Sequence, residues 1–596
     1  MSDPTVISEF YRVAAANPRK VAIFWGRETV TYAQLRDLID RYAANLQTGS
    51  NIGPGDRVGI LLRNCPEFIY VLYAALKSGA VVVPINNFLK PPEIQHIIDD
   101  SKLTCLVTSK EFEETTAKLQ GVATVSIETV GAPNKTVAAA PKRIRGKPLC
   151  LRGRWDGDAP VSRVGRDAAV VCGNGAATGG EDAPVKGAAT GGEDAPVKGA
   201  ATGGEDAPVK GAATGESVLS AAPTEDFGRP IAAGTAASTS TEDSAPTDPG
   251  SVALIIYTSG TTGKPKGALL THGNIASNVS SCIRALEETS NDRLTLLLPM
   301  FHSFMLTVCI FTPLSMGAGI VLIKSLHPFK AAMREMVMNR ATIFVGIPQI
   351  FQALAQAKIP FWLHWVLKLR MAVSGAAPLP RETLDAFERK MRFPLLEGYG
   401  LSEASPVVSF NPYHGVRKAG SVGLPLPDIE VKIFDDHDQE LPAEQVGEIV
   451  VRGPNVMQGY YNHPDETAAA LRNGCLHTGD MGKKDADGYI YIVDRRKEMF
   501  LVRGMNVYPR EIEEVLYQFP NVREAAVVAR PDEKRGEASV AFVCPVEGAT
   551  LQADDILRFC RERLADYKLP KEIRIVESLP HTATGKIAKM ELKKAV

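Results

Sequence analysis

The sequence predicts an α/β protein: a large N-terminal domain of parallel-sheet α/β subdomains, followed by a small mobile C-terminal α+β lid. Three features carry this expectation. Short apolar runs alternate with helical patterns over residues 57–100, the order that parallel strands with crossover helices require. A second alternation of helix-like and strand-like segments runs from about Lys497 to Val596. Between Val130 and Ser251 neither pattern continues, so an insertion interrupts the large domain.

In chain order, Arg57–Leu62 reads as a buried strand, Pro66–Lys77 as a helix, Gly79–Pro84 as a strand and Pro91–Asp100 as a helix. Past the insertion, Val252–Ile256 is a further short apolar strand. Phe304 to Ile323 has no charged residue and is long enough to cross a bilayer. Pro313, Gly317 and Gly319 divide it, however, into a helix-like half and the strand-like Ile320–Ile323, which suits the core of an α/β domain. Ile359–Arg370 holds two of the four tryptophans beside two cations; it reads as a surface helix packing its aromatics inward, with a lipid-surface helix as the alternative. In the last segment Ile512–Tyr517 is helical, Glu524–Ala529 strand-like and Asp554–Leu564 helical. The expected division is 1–130, an N-terminal α/β subdomain; 131–250, the insertion; 251–493, the rest of the large domain; 494–497, a hinge; and 498–596, the lid.

Within the insertion, GAATGGEDAPVK at 175–186 recurs unchanged at 187–198 and 199–210. Each unit offers one Val to any core, too little to offset the entropy of ordering it, so the stretch is expected to be disordered. A tether or partner-binding arm is its alternative role. Lys+Arg of 67 against Asp+Glu of 68 gives no global field for nucleic acid, so an anionic ligand must be small and held locally. Nine cysteines without a C-x-x-C pair fit a reducing cytoplasm better than a disulfide framework or zinc site. The N-terminus lacks the basic and apolar regions of a secretory signal. A cytoplasmic protein with peripheral membrane contact as an option is therefore expected.

The densest chemistry lies in Tyr257-Thr-Ser-Gly-Thr-Thr-Gly-Lys-Pro-Lys-Gly267, which offers phosphate oxygens hydroxyls, glycine amides and two cations. It is not a P-loop. Only two residues separate Gly260 from Gly263, and Lys264 is followed by Pro265, which has no N–H to donate. The loop should leave the sheet at a strand's carboxyl end, where ligands of such sheets bind.

Further motifs follow in order: Pro299–Phe304, Ser374–Pro378, Glu397–Glu403, Leu476–Asp480, Asp494–Glu498, Gly504–Pro509 and Leu579–Lys586. Together with the first loop they resemble the adenylate-forming superfamily of acyl-CoA synthetases, luciferases and adenylation domains. The likeness covers most of the chain outside the insertion and is closest to bacterial medium- and long-chain fatty-acyl-CoA ligases.

That resemblance implies an AMP-forming acid–CoA ligase using ATP, Mg²⁺ and coenzyme A. By resemblance, Thr258, Ser259, Gly260, Thr261, Thr262, Gly263, Lys264 and Lys266 hold the β- and γ-phosphates. Glu403 takes Mg²⁺, with Ser402 beside it where many relatives have Thr. Tyr399 and the Gly375-Ala376-Ala377 turn sandwich adenine, with Glu397, Gly398 and Gly400 in the same nucleotide motif. Asp480 and Arg495 serve the ribose. His302 lines the acyl channel and orients the acid; a general-base role is not needed, because a carboxylate is already ionised at pH 7. Lys586 neutralises charge in the adenylation transition state. The lid then turns about Lys497, withdrawing Lys586 and bringing Gly504 to a pantetheine channel. Arg503 stands where many relatives have a second glycine, a departure on the thioester-forming face. Medium- or long-chain fatty acids are the expected substrates. The alternatives are loading of a separate carrier protein and a catalytically silent nucleotide-binding scaffold.

Overall fold

A computed structural model describes residues 5–131, 248–259, 265–324, 329–357, 363–496, 498–502, 505–532, 536–582 and 586–596. The repeats, the loop tip 260–264, Lys497, Arg503 and Gly504 lie outside the described residues, as do the expectations attached to them.

Two mainly parallel sheets build the body. The first has seven strands in the order Gly459–Tyr460, Pro265–Thr271, Val252–Ser259, Val81–Pro84, Arg57–Leu61, Cys105–Thr108 and Ala123–Ser126. Arg57–Leu61 runs parallel to both Val81–Pro84 and Cys105–Thr108, with helices Pro66–Lys77 and Pro91–Ser101 as the crossovers the alternation required. Val252–Ser259 re-enters parallel to Val81–Pro84, with Val82 opposite Leu254. It then doubles back against Pro265–Thr271, down to Ser259 opposite Pro265. Ser259 and Pro265 therefore stand at the carboxyl edge of the parallel strands.

The second sheet has nine strands, six of them adjacent and parallel: Val21–Trp25, Gly319–Leu322, Arg293–Leu296, Ile343–Gly346, Met371–Ser374 and Leu395–Gly400. Helix Pro66–Lys77 is buried on nearly every face, because one core joins Val58, Val82 and Leu254 of the first sheet to Ile23, Leu294 and Ile320 of the second. The uncharged stretch behaves as expected of a core segment: helical from Met305 to Met316, then the buried strand Gly319–Leu322. Among the described residues no helix is long and apolar enough to cross a membrane.

One expectation fails in part. In the short helix Leu363–Val366, Leu363 is buried but Trp365 is 73% exposed, since one helical turn offers a single inward position.

A third body sheet is antiparallel throughout and joins Glu430–Phe434, Gly447–Arg452, Cys475–Lys484, Leu471–Arg472 and Ile490–Arg495. Hairpins rather than crossover helices connect several of its strands, which the broad expectation of parallel sheets did not anticipate. The lid has its own sheet of Met505–Val507, Phe500–Val502, Gly536–Pro545, Val522–Asp532 and Glu572–Ile575. Helices Pro509–Tyr517 and Ala553–Arg561 close a separate core with Ile512, Leu516, Val527, Ala541 and Ile556. The second of these ends three residues before the expected Leu564.

Candidate active site

The antiparallel return after Val252–Ser259 places Thr258 opposite Lys266 and directs Thr258 toward the turn that follows strand Leu395–Gly400. Its Oγ1 donates to Glu403 Oε1 at 3.2 Å, and the Tyr460 hydroxyl donates to the same oxygen at 2.9 Å. Glu403 sits in the tight turn Ser402–Ala404, whose backbone is tied on both sides: Met457 N donates to Glu403 O, and Asn455 Nδ2 to Ala404 O. Lys266 is buried and forms an ion pair with Glu466 at 3.2 Å, with its ammonium 5.7 Å from the Tyr460 ring centre. A phosphate at Lys266 would have to displace that carboxylate.

Ser402 Oγ and Ser303 Oγ are 3.0 Å apart, which ties the Glu403 turn to the segment carrying His302. His302 Nδ1 accepts from Phe304 N at 3.3 Å, so the neutral ring carries its proton on Nε2. Desolvation pushes its pKa down to about 4, and the positive charge of Lys586 pushes the same way. The imidazole is therefore a neutral donor at physiological pH.

Tyr399 is buried and donates to Asp480 Oδ2 at 2.6 Å, while Arg495 Nε meets Asp480 Oδ1 at 2.9 Å. Burial first, then Asp480, hold the phenol protonated. Asp480 and Arg495 face each other as partners on neighbouring strands. Each carboxylate oxygen keeps an unused lone pair, so Asp480 can still accept from a sugar diol.

The turn after Met371–Ser374 carries Gly375, Ala376 and Ala377, with Ala376 in the left-handed region at φ 67°. A Cβ on Gly375 would lie 2.9 Å from the Phe304 ring, so glycine lets this turn close onto the His302 segment. Glu397 differs from a nucleotide contact. It is buried, its Oε1 accepts from Leu379 N at 3.0 Å, and it feels Arg510 of the lid, while desolvation raises its pKa to about 7. It ties the Gly375 turn to its strand. Gly398 and Gly400 also have packing reasons, since a Cβ would lie 2.2 Å from the Phe410 ring and from Pro406 O respectively.

Lys586 arrives from the lid. Desolvation and Arg495 lower its pKa, whereas Asp480, Glu498 and Glu403 raise it. One lid cation thus shares a field with Asp480, Arg495, Glu403 and His302, which come from separate parts of the body. Around them the AMP-binding enzyme profile matches residues 10–461, and the AMP-binding enzyme C-terminal domain profile matches residues 511–586. The chain belongs to the AMP-binding enzyme family.

This family member is 32% identical over 589 residues to a feruloyl-CoA synthase of Amycolatopsis sp, covering 98% of this chain and 97% of the relative. It is also 32% identical to a long-chain-fatty-acid–CoA ligase of Bacillus subtilis (strain 168), covering 97% and 92%. The fold matches o-succinylbenzoate coenzyme A synthetase of Bacillus subtilis, solved in complex with ATP and magnesium ion, at a TM-score of 0.73 and 25% identity, covering 98% and 99%. The enzyme is an adenylate-forming acid–CoA ligase that uses ATP, Mg²⁺ and coenzyme A.

The ligase's Glu403 and Thr258 would fit Mg²⁺ as ligands. The Glu403 carboxylate and Thr258 hydroxyl are hard oxygen donors on one spot. Among the described residues no cluster of three or more His, Cys, Asp or Glu could hold a metal.

Two residues that brace the site escaped the sequence reading. Tyr460 supports Glu403 from a distant strand, and its only sequence signal is the aromatic pair Tyr460-Tyr461. Glu448 Oε1 accepts from Gly479 N at 2.9 Å, and its Oε2 lies 3.0 Å from His477 Nδ1, so it braces the turn that presents Asp480. Glu448 and His477 approach only through the register of Gly447–Arg452 with Cys475–Lys484, where Val450 faces His477.

Proposed function

We propose that this ligase acts on medium- or long-chain fatty acids, with the site residues in the following roles. Thr258 and the loop beyond Ser259 hold the triphosphate, Lys264 and Lys266 offset its charge, Glu403 holds Mg²⁺, which screens phosphate charge, and Asp480 with Arg495 holds the ribose. Tyr399 and the Gly375–Ala377 turn receive adenine. The Nε2–H of neutral His302 orients the acid, whose ionised oxygen attacks the α-phosphorus; a new O–P bond forms as the bond to pyrophosphate breaks. Lys586 offsets the charge gathered on that phosphorus and on the carboxylate. In the second half-reaction the CoA thiol, losing its proton, attacks the acyl carbonyl; the C–S bond forms and AMP leaves. The lid turns about Lys497 between the two, exchanging Lys586 for the segment at Gly504. Residues 494–497 act as hinge and 498–596 as lid.

The observation that carries the acyl preference is the segment directly behind His302. Met305–Leu314 is wholly buried, and its two hydroxyls are spent internally: Thr307 donates to Ser405 O and Thr312 to Thr307 O, both at 2.8 Å. This segment offers no unpaired hydroxyl that a shift in its packing could turn toward an aryl hydroxyl or methoxy group beside His302, whereas an alkyl tail needs none. The similarity to a long-chain-fatty-acid–CoA ligase supports this reading. The similarity to a feruloyl-CoA synthase favours a phenolic acid as the second reading.

AMP release dependent on both ATP and CoA, measured across straight-chain acids and ferulate, tests the proposal. Each methylene that finds the pocket should raise kcat/KM about fourfold until the pocket is full, from ~0.8 kcal/mol per buried CH₂. A ferulate kcat/KM above that of every fatty acid would overturn it.

A further inference from the structure

Lys586 is carried on a short return of the chain with both of its ends fastened. Thr582 N donates to Lys586 O at 2.7 Å, Lys586 N donates to Thr582 Oγ1 at 3.2 Å, and Ala588 N donates to Pro580 O at 2.8 Å. His581 and Ile587 face each other as an antiparallel bridge. Leu579 before the return and Leu592 after it are buried against Ala526, Val528, Val540 and Phe542 of the lid sheet. These contacts fix the return to the lid, but they do not aim it at the body.

Lys589, three residues beyond Lys586, ties the return to the end of the lid that adjoins the hinge. Its ammonium lies 2.8 Å from Glu513 Oε1 and 3.1 Å from Glu498 Oε2, and its side chain is only 17% exposed. Glu513 is itself held by Val527 N, which donates to Oε1 at 2.7 Å. Glu498 N donates to Arg495 O at 2.8 Å, and Arg495 pairs with Asp480 at 2.9 Å. A continuous path of short contacts therefore runs from the lysine-bearing return, through Lys589 and Glu498, to the carboxylate assigned to the ribose. Without the Lys589 cation, Glu498 and Glu513 would face one another as two partly buried like charges and drive the return away from Arg495.

We infer that Lys589 is a positioning residue for adenylate formation: through Glu498 and Glu513 it sets where Lys586 stands relative to the Asp480–Arg495 pair. This rests on the assignment of Lys586 to adenylation. The thioester-forming half-reaction, in which Lys586 is withdrawn, does not depend on the strut.

Lys589→Met, Lys589→Arg, Glu498→Gln and Lys586→Ala test the inference in the full-length enzyme. Two half-reactions are read separately with a fatty acid the wild type accepts: acyl-adenylate formation by pyrophosphate exchange, and thioester formation from presynthesised acyl-adenylate plus CoA. Lys589→Met should slow adenylate formation about 10- to 100-fold, the scale of a misplaced reacting group, and leave thioester formation at the wild-type rate. Lys589→Arg should restore most of the loss, and Glu498→Gln should show a smaller loss of the same selectivity. Equal losses in both half-reactions would make Lys589 a general support of the lid fold and overturn the inference, as would unchanged adenylate formation in Lys589→Met. If adenylate formation survives Lys586→Ala, the assignment of Lys586 and the strut fall together. If Lys586→Ala abolishes it while Lys589→Met does not, the strut alone falls.

Discussion

Glu448 illustrates how one carboxylate can serve a site it does not touch. It accepts from Gly479 N, lies against His477 and has Arg472 3.6 Å and Arg496 3.8 Å away, so the turn before Asp480 is held by a charged cluster. Glu448→Ala would leave the Gly479 N–H without its acceptor and remove the carboxylate beside His477 and Arg472. From the ~1–3 kcal/mol cost of an orphaned buried donor, the KM for ATP should rise about 10-fold with the KM for the acid unchanged. Glu448→Gln, which keeps an acceptor for Gly479, should lose less; steady-state kinetics with each substrate varied in turn read both effects. Glu403, Asp480, Arg495 and Lys586 were nominated by the resemblance of the motifs that hold them, since each residue taken alone is an ordinary surface or turn residue. Glu448 and Tyr460 were not, because their partners lie across strands and no local pattern encodes that register.

At the scale of elements, Glu397–Gly400 belongs to a strand whose glycines admit a neighbour. Gly398 faces Phe410 on the antiparallel strand Val407–Phe410, and a Cβ there would lie 2.2 Å from the ring. Gly398→Ala should cost about 1–3 kcal/mol of stability through overpacking and lower the midpoint of chemical denaturation. Combined with Phe410→Ala it should cost less than the sum of the two single changes. Strand and helix positions in the first sheet were readable from apolar runs and crossover spacing, and helix Pro66–Lys77 has the expected bounds. The outward Trp365 was misread, because a single helical turn has too few residues for periodicity to reveal its buried side.

For the whole molecule, buried ionisable groups should make stability depend on pH. Glu288 is buried with neither carboxylate oxygen hydrogen-bonded, and desolvation, then Asp292, raises its pKa to about 8. Desolvation likewise raises Glu397 to about 7 and Asp494 to about 6. A carboxyl raised on folding keeps a proton that the unfolded chain has already released, so its contribution falls as pH climbs from the unfolded value to the folded one. His272 and His302, both lowered to about 4 by desolvation, act in the opposite direction, but only up to about pH 6.5. Between pH 6.5 and 8 the melting temperature should therefore fall, and Glu288→Gln should flatten that slope; calorimetry at constant ionic strength measures both. The sequence by itself determined the α/β class, the order of the motifs and the residue types each half-reaction needs, since these follow from local periodicity and side-chain chemistry. Only the tertiary structure decided that Lys266 spends its charge on Glu466, that Tyr399 donates to Asp480, and that Lys589 stands between Glu498 and Glu513. Those pairings depend on strand register and on how lid and body pack, and such long-range contacts leave no trace in the spacing of neighbours along the chain.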